Sequence, residues 1–195
     1  MGKGRLEAFS DGVIAIIITI MVLELRAPER HDLSALIATL PVFFNYVISF
    51  IYVGIYWNNH HHMLHAVKSI NGSVLWANLH LLFWLSMVPF ASAWMGENNT
   101  HDTWPVALYG FVLLMNSIAY YILARTLVNH EGKHSALGEA LGKDKKGKIS
   151  TIIYICALPL AWVYPLASFA LYILVALMWL VPDKRIEKKI GHEHK

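Results

Sequence analysis

The chain has 195 residues, 56% of them hydrophobic and 15% charged, with a formal net charge of +3. It is too apolar for an ordinary soluble domain, and its charges gather between apolar stretches long enough to cross hydrocarbon, which takes roughly 20 helical residues. One cysteine, Cys156, excludes an internal disulfide and a multi-cysteine metal site. The basic start Met1-Gly2-Lys3-Gly4-Arg5 lacks a following small-residue cleavage site and is read as part of the mature protein. In chain order, apolar helices are expected at about 6–25, 33–57, 73–94 and 104–128. Pro28, the histidine-rich stretch His60-His61-His62-Met63-Leu64-His65 with Asn71-Gly72, and Gly96-Glu97-Asn98-Asn99 mark the breaks. A polar, lysine-bearing loop fills Asn129 to Lys148. The run from Ile149 to Val181 is too long for one untilted span, and Trp162, Tyr164 and Pro165 place a hairpin in it, giving helices at 149–163 and 165–181. A single kinked helix is the alternative for that stretch.

Basic residues separate the two arrangements, because Lys and Arg are retained on the cytoplasmic side during insertion. With six spans and a cytoplasmic N-terminus, Lys3, Arg5, Lys68, Arg125, Lys133, Lys143, Lys145, Lys146, Lys148, Lys184, Arg185, Lys188, Lys189 and Lys195 all fall inside. Only Arg26 and Arg30 of the 16 fall outside. Five spans would move the residues from Lys184 onward to the outer face. The expected fold is therefore an all-α integral membrane protein, 1–195 forming one six-helix domain with both termini cytoplasmic. The positive excess is a topology signal that suits anionic lipid and requires no nucleic acid.

The first helix holds a carboxylate, Asp11, inside an apolar run. Such a group needs protein or water around it and a hydrogen-bonded partner, Arg5 or a polar group on a neighbouring helix. At about 100° per residue, Gly12, Ile16, Thr19 and Leu23 share a stripe flanked by Ala15 and Ile20. Small and branched residues in this pattern form either a packing face or the wall of a narrow, dry pore that gates by dewetting.

Arg5-x-x-x-Phe9-Ser10-Asp11 at the head of the first helix resembles the signature of the transmembrane-protein-175 potassium channels of endosomes, lysosomes and prokaryotes. Trp57-Asn58-Asn59-His60-His61 is similar to that family's Trp-x-x-His-His. Trp76 to Pro89-Phe90 resembles its aromatic-rich third helix. The resemblance implies a single-repeat, prokaryotic-type subunit of the cell membrane, four of which surround a pore lined by their first helices. It implies K+ as the permeant ion, no cofactor, and no Thr-Val-Gly-Tyr-Gly filter. The family's bulky aliphatic ring maps onto Ile16, with Ile20 or Leu23 as further rings and Thr19 as a hydroxyl ring. Arg5, Phe9, Ser10, Asp11 and Trp57 would anchor the helix, with His80 as a buried partner, while Asn78, Asn45 and Asn116 could equally supply the hydrogen bonds.

Two other classes are weighed. A secondary transporter or proton-coupled carrier could use Asp11 and His80, but the helix-one signature has no counterpart in helix four, where Tyr109-Gly110-Phe111 lacks an acid. A histidine-metal membrane enzyme could use His60, His61, His62 and His65. The remaining histidines, His31, His80, His101, His130, His134, His192 and His194, are scattered across sides and depths.

Overall fold

The computed structural model describes residues 2–98, 101–132, 134–141 and 144–180. The basic tail from Lys184, His192, His194, Val181, Lys133, Lys143 and Asn99 of the third break lie outside the described residues.

Helices account for nearly all of what is described: α1 (Lys3–Leu23), α2 (Leu33–Ala38), α3 (Leu40–His65), α4 (Gly72–Ser86), α5 (Val88–Asn98), α6 (Thr103–Glu131), α7 (Ala136–Leu141), α8 (Lys145–Leu160) and α9 (Pro165–Leu180). Among the described residues, four stretches are long and apolar enough to cross a membrane: Lys3–Leu23, Leu40–His65, Gly72–Gly96 and Thr103–Glu131. α9 is a shorter apolar helix.

Two stretches that read as continuous in the sequence are broken. Pro41 and Pro89 lack the N–H that would reach back four residues, so the chain tightens into a turn at Thr39 between α2 and α3 and at Met87 between α4 and α5. Thr39 closes the turn, its N–H and its Oγ1 both donating to Leu36 O, at 3.1 and 2.8 Å. The long polar loop also contains structure. α6 continues to Glu131 and stops at Gly132, whose φ of 98° suits glycine. α7 then starts behind Ser135, whose Oγ accepts from Gly138 N at 3.1 Å.

Side-chain caps begin other helices. Asp32 Oδ1 accepts from Ala35 N at 3.1 Å, Asn71 Oδ1 from Val74 N at 3.0 Å, and Asp144 Oδ1 from Gly147 N at 2.9 Å. Arg30 donates to Asp32, and its guanidinium holds that exposed carboxyl below the usual carboxylate value. α8 and α9 are separated by the turn at 161–164, and Pro165 occupies the first position of α9, where a missing N–H costs nothing.

α6 is the axis of the bundle, packed on α4, α5, α8 and α9. Its closest approach is at Gly110, where even a methyl group would collide with the Tyr172 hydroxyl of α9. Tyr52 donates to the Tyr172 carbonyl, and Tyr154 OH donates to Tyr52 OH at 3.2 Å, tying α3, α8 and α9 together in the interior. At one end Trp104 meets Trp162 edge-on at 5.5 Å. At the other, Glu131 Oε1 accepts from Lys68 N at 2.9 Å and Ser69 N at 3.3 Å, fixing the α3–α4 turn to the end of α6.

Candidate ion pathway on the first helix

α1 packs on α3, α4 and α5 through one side. Leu6, Ser10, Ile14, Ile17 and Met21 are buried, at intervals of three and four that keep them on a single face. The opposite side is bare in the single chain. Gly12, Ala15, Ile16, Thr19, Ile20 and Leu23 are exposed, Ile16 at 60% and Leu23 at 73%. A Cβ added at Gly12 would meet nothing within 4 Å. Thr19 Oγ1 donates to Ala15 O at 2.9 Å, so its proton is held by the helix and its lone pairs are presented on the exposed side.

The head of α1 is fastened by two adjacent residues pointing about 100° apart. Asp11 accepts from Trp57 Nε1 of α3 at 2.9 Å. Ser10 is fully buried and donates to Leu6 O at 2.8 Å, while its oxygen accepts from Asn78 Nδ2 of α4 at 2.9 Å. Asn78 Oδ1 in turn lies 2.7 Å from His60 Nε2 of α3. The two motifs, one on α1 and one on α3, are thus joined twice: directly through Asp11 and Trp57, and by the relay Ser10–Asn78–His60. Burial of Ser10, Asn78 and His60 makes the relay costly to break, since each polar group that loses its partner remains desolvated.

Several sequence candidates sit elsewhere. His80 is half-buried and accepts from Trp84 Nε1 of its own helix at 3.0 Å, so the place expected for it in the anchoring network is held by His60. His80 points away because Asn78, two residues earlier, already occupies the face turned to α1. The Arg5 side chain is exposed and is not the partner of Asp11, and Phe9 is 52% exposed. Asn116 donates to Val112 O at 2.9 Å and Trp84 O at 3.2 Å, while the buried Asn45 amide has no hydrogen-bond partner.

The histidine cluster divides by face. His60 turns inward to Asn78, whereas His61 stacks on Trp57 at 5.9 Å and on His65 at 6.1 Å along the outside of α3. Among the described residues, no three His, Cys, Asp or Glu side chains converge on a metal-sized site.

Apolar helices of spanning length, packed round α6 and joined by short turns, with a first helix bare on one aliphatic face, define a multi-pass α-helical membrane protein. Comparison with known proteins narrows this. The family described as the endosomal/lysosomal potassium channel TMEM175 matches residues 5–89, which contain both motifs. A potassium channel of Chryseobacterium sp. (strain P1-3) is 55% identical over 190 residues, covering 97% of this chain and 98% of that one. The human endosomal/lysosomal proton channel TMEM175 is 38% identical over 96 residues, 43% of this chain and 19% of the human protein. The crystal structure of a lysosomal potassium-selective channel TMEM175 homolog from Chamaesiphon minutus superimposes with a TM-score of 0.79 at 26% identity, covering 93% of this chain and 97% of that one. The chain belongs to the TMEM175 family of ion channels, which is not a family of enzymes.

Proposed function

We propose that four copies of this chain form a potassium-permeable channel in the cell membrane, with the α1 helices lining a central path. Each subunit crosses the bilayer six times, through α1, α3, α4–α5, α6, α8 and α9, with both termini cytoplasmic. The observation that carries this reading is the bare aliphatic face of α1, in a helix whose other face is tightly packed. One subunit cannot enclose a path with that face; a closed ring of copies can.

Four Ile16 side chains form the narrowest ring, with Ile20 and Leu23 as further apolar rings, and such a constriction stays dry until the helices part. Thr19, its proton held by Ala15, offers a ring of oxygens to a cation that has shed part of its water. Partial dehydration favours potassium over the more tightly hydrated sodium. No Thr-Val-Gly-Tyr-Gly segment occurs in the chain to supply a carbonyl filter. Asp11, Trp57, Ser10, Asn78 and His60 hold α1 at its angle without touching the ion.

The test is single-channel recording in reconstituted bilayers, with subunit cross-linking on the same preparation. Unitary steps that reverse near the potassium equilibrium potential, from a cross-linked tetramer, are expected. Currents that follow a pH gradient alone would make protons the permeant ion. Flux strictly coupled to a second solute, or a monomer in both detergent and lipid, would remove the pore.

A further inference from the structure

Away from α1, a cavity of about 370 Å³ lies between α3, α6, α8 and α9. That is within the size range of small-molecule sites. Its walls carry polar side chains, but several of their polar atoms are already hydrogen-bonded within the protein. Ser117 Oγ lies 2.8 Å from Thr151 Oγ1, and Trp179 Nε1 donates to Ser150 Oγ at 2.8 Å. Tyr154 OH donates to Tyr52 OH at 3.2 Å, and Asn59 Nδ2 donates to Ile55 O of its own helix at 2.8 Å. What these groups present to the cavity is mainly ring and methylene surface. A sugar or nucleotide would bury polar groups there at a cost, whereas a hydrocarbon chain asks for no partner.

The dimensions and the opening point the same way. The lining follows α8 from Asp144 to Tyr154. At the helical rise this is about 15 Å, the hydrocarbon depth of one bilayer leaflet. Ile152, 60% exposed, stands on the rim, so the space opens sideways onto the protein's flank. A second chain of the same molecule can therefore remain in the bilayer.

Charge marks the end nearest the start of α8. Lys148 lines the cavity and is exposed. Arg125 Nε donates at 2.9 Å to the hydroxyl of Tyr121, another lining residue, and its guanidinium lies 5.2 Å from that ring. Lys146 lies over the Trp179 ring at 5.9 Å. The acid in the lining, Asp144, is engaged in capping α8 through Gly147 N. Basic pockets between membrane helices suit anionic headgroups.

We propose that this cavity holds one acyl chain of an anionic phospholipid, its phosphate lying against Lys148 and Arg125. Native mass spectrometry of the detergent-purified protein, titrated separately with phosphatidylglycerol, phosphatidylcholine and palmitate, tests this. One phosphatidylglycerol per subunit is expected, in preference to the other two. Lys148→Gln should weaken it about fivefold, the effect of one basic side chain near a headgroup. Ser117→Trp fills the cavity from α6 and should abolish retention. Ile55→Trp fills it from α3 and serves as an independent check should the first variant fold poorly. Equal binding of phosphatidylcholine would overturn the role of headgroup charge, and preferential binding of palmitate would make this a free fatty acid site. Unchanged phosphatidylglycerol retention in a folded filled-cavity variant would place the lipid elsewhere.

Discussion

α1 and α6 are both apolar enough to span a membrane, yet 28% of the apolar window of α1 is buried in the subunit against 50% for α6. α6 finds neighbours on several sides within one chain. α1 has neighbours on one side only, and past its head the open side is mainly aliphatic, with Ile16, Ile20 and Leu23 around Thr19. Equal apolarity therefore does not mean equal roles. In water the bare face would be driven to burial, but lipid removes that drive, so the face is free to be given to lipid, to another copy or to a path. What distinguishes α1 is that it also carries the family motif, fastened to α3 and α4 at its head.

The comparison breaks most sharply at Gly110. Gly110→Leu should prevent accumulation of folded protein, because the added side chain would occupy the space of the Tyr172 hydroxyl, which is buried and held by Ser168 Oγ at 2.8 Å. Gly12→Leu on the bare face of α1 should leave the subunit's fold intact, which expression level and size-exclusion profiles will show.

Next comes the reciprocal pair on α1. Ile17, 2% exposed, faces the bundle, so Ile17→Ala should cost about 2–5 kcal/mol in thermal or denaturant unfolding and leave ion preference unaltered. Ile16→Asn should do the reverse: little loss of stability, but a several-fold larger resting current and weaker discrimination of potassium from sodium. A change in permeation from Ile17 with none from Ile16 would mean that the path lies against the other face of α1.

Asn78→Leu should destabilise by about 1–3 kcal/mol, since both Ser10 and His60 lose a buried partner. A silent Asn78→Leu would show that the relay does not hold α1 in place. Thr19→Ala should lower potassium preference more than conductance, in bi-ionic reversal potentials, without a measurable change in unfolding. Asp11→Asn should have the smallest effect on permeation: an amide oxygen can still accept from Trp57 Nε1, so at an exposed site the loss of stability is about 0.5–1 kcal/mol, and ion preference should not move.

Much of this was legible in the sequence. The apolar stretches, the turn before Pro165 and the division of α1 into a face with Ile16, Thr19 and Leu23 and another with Ile17 all follow from hydropathy and a 100° repeat. These are local properties, fixed by side chains a few residues apart. The breaks at Thr39 and Met87 had their cause in plain view in Pro41 and Pro89, yet the flanking helices are apolar enough that hydropathy alone runs straight through them. The Ser135 cap and the Ala-Leu pattern of α7 were likewise present within a stretch that polarity marked as loop.

Tertiary structure alone decided which polar residue meets which. Ser10 and Asn78 are 68 residues apart in the chain and His60 and Asn78 are 18 apart, so no local pattern could select Asn78 over Asn45 or Asn116, or His60 over His80. Helix rotation made that choice: a turn of 100° separates a buried, bonded side chain from an exposed one. It also determined that the open face of α1 is the one with Ile16, Thr19 and Leu23, while α3, buried to the same 28%, leaves Phe43, Phe44 and Phe50 open instead. Exposure depends on where every other helix goes, a property of the whole packed chain that no single segment encodes.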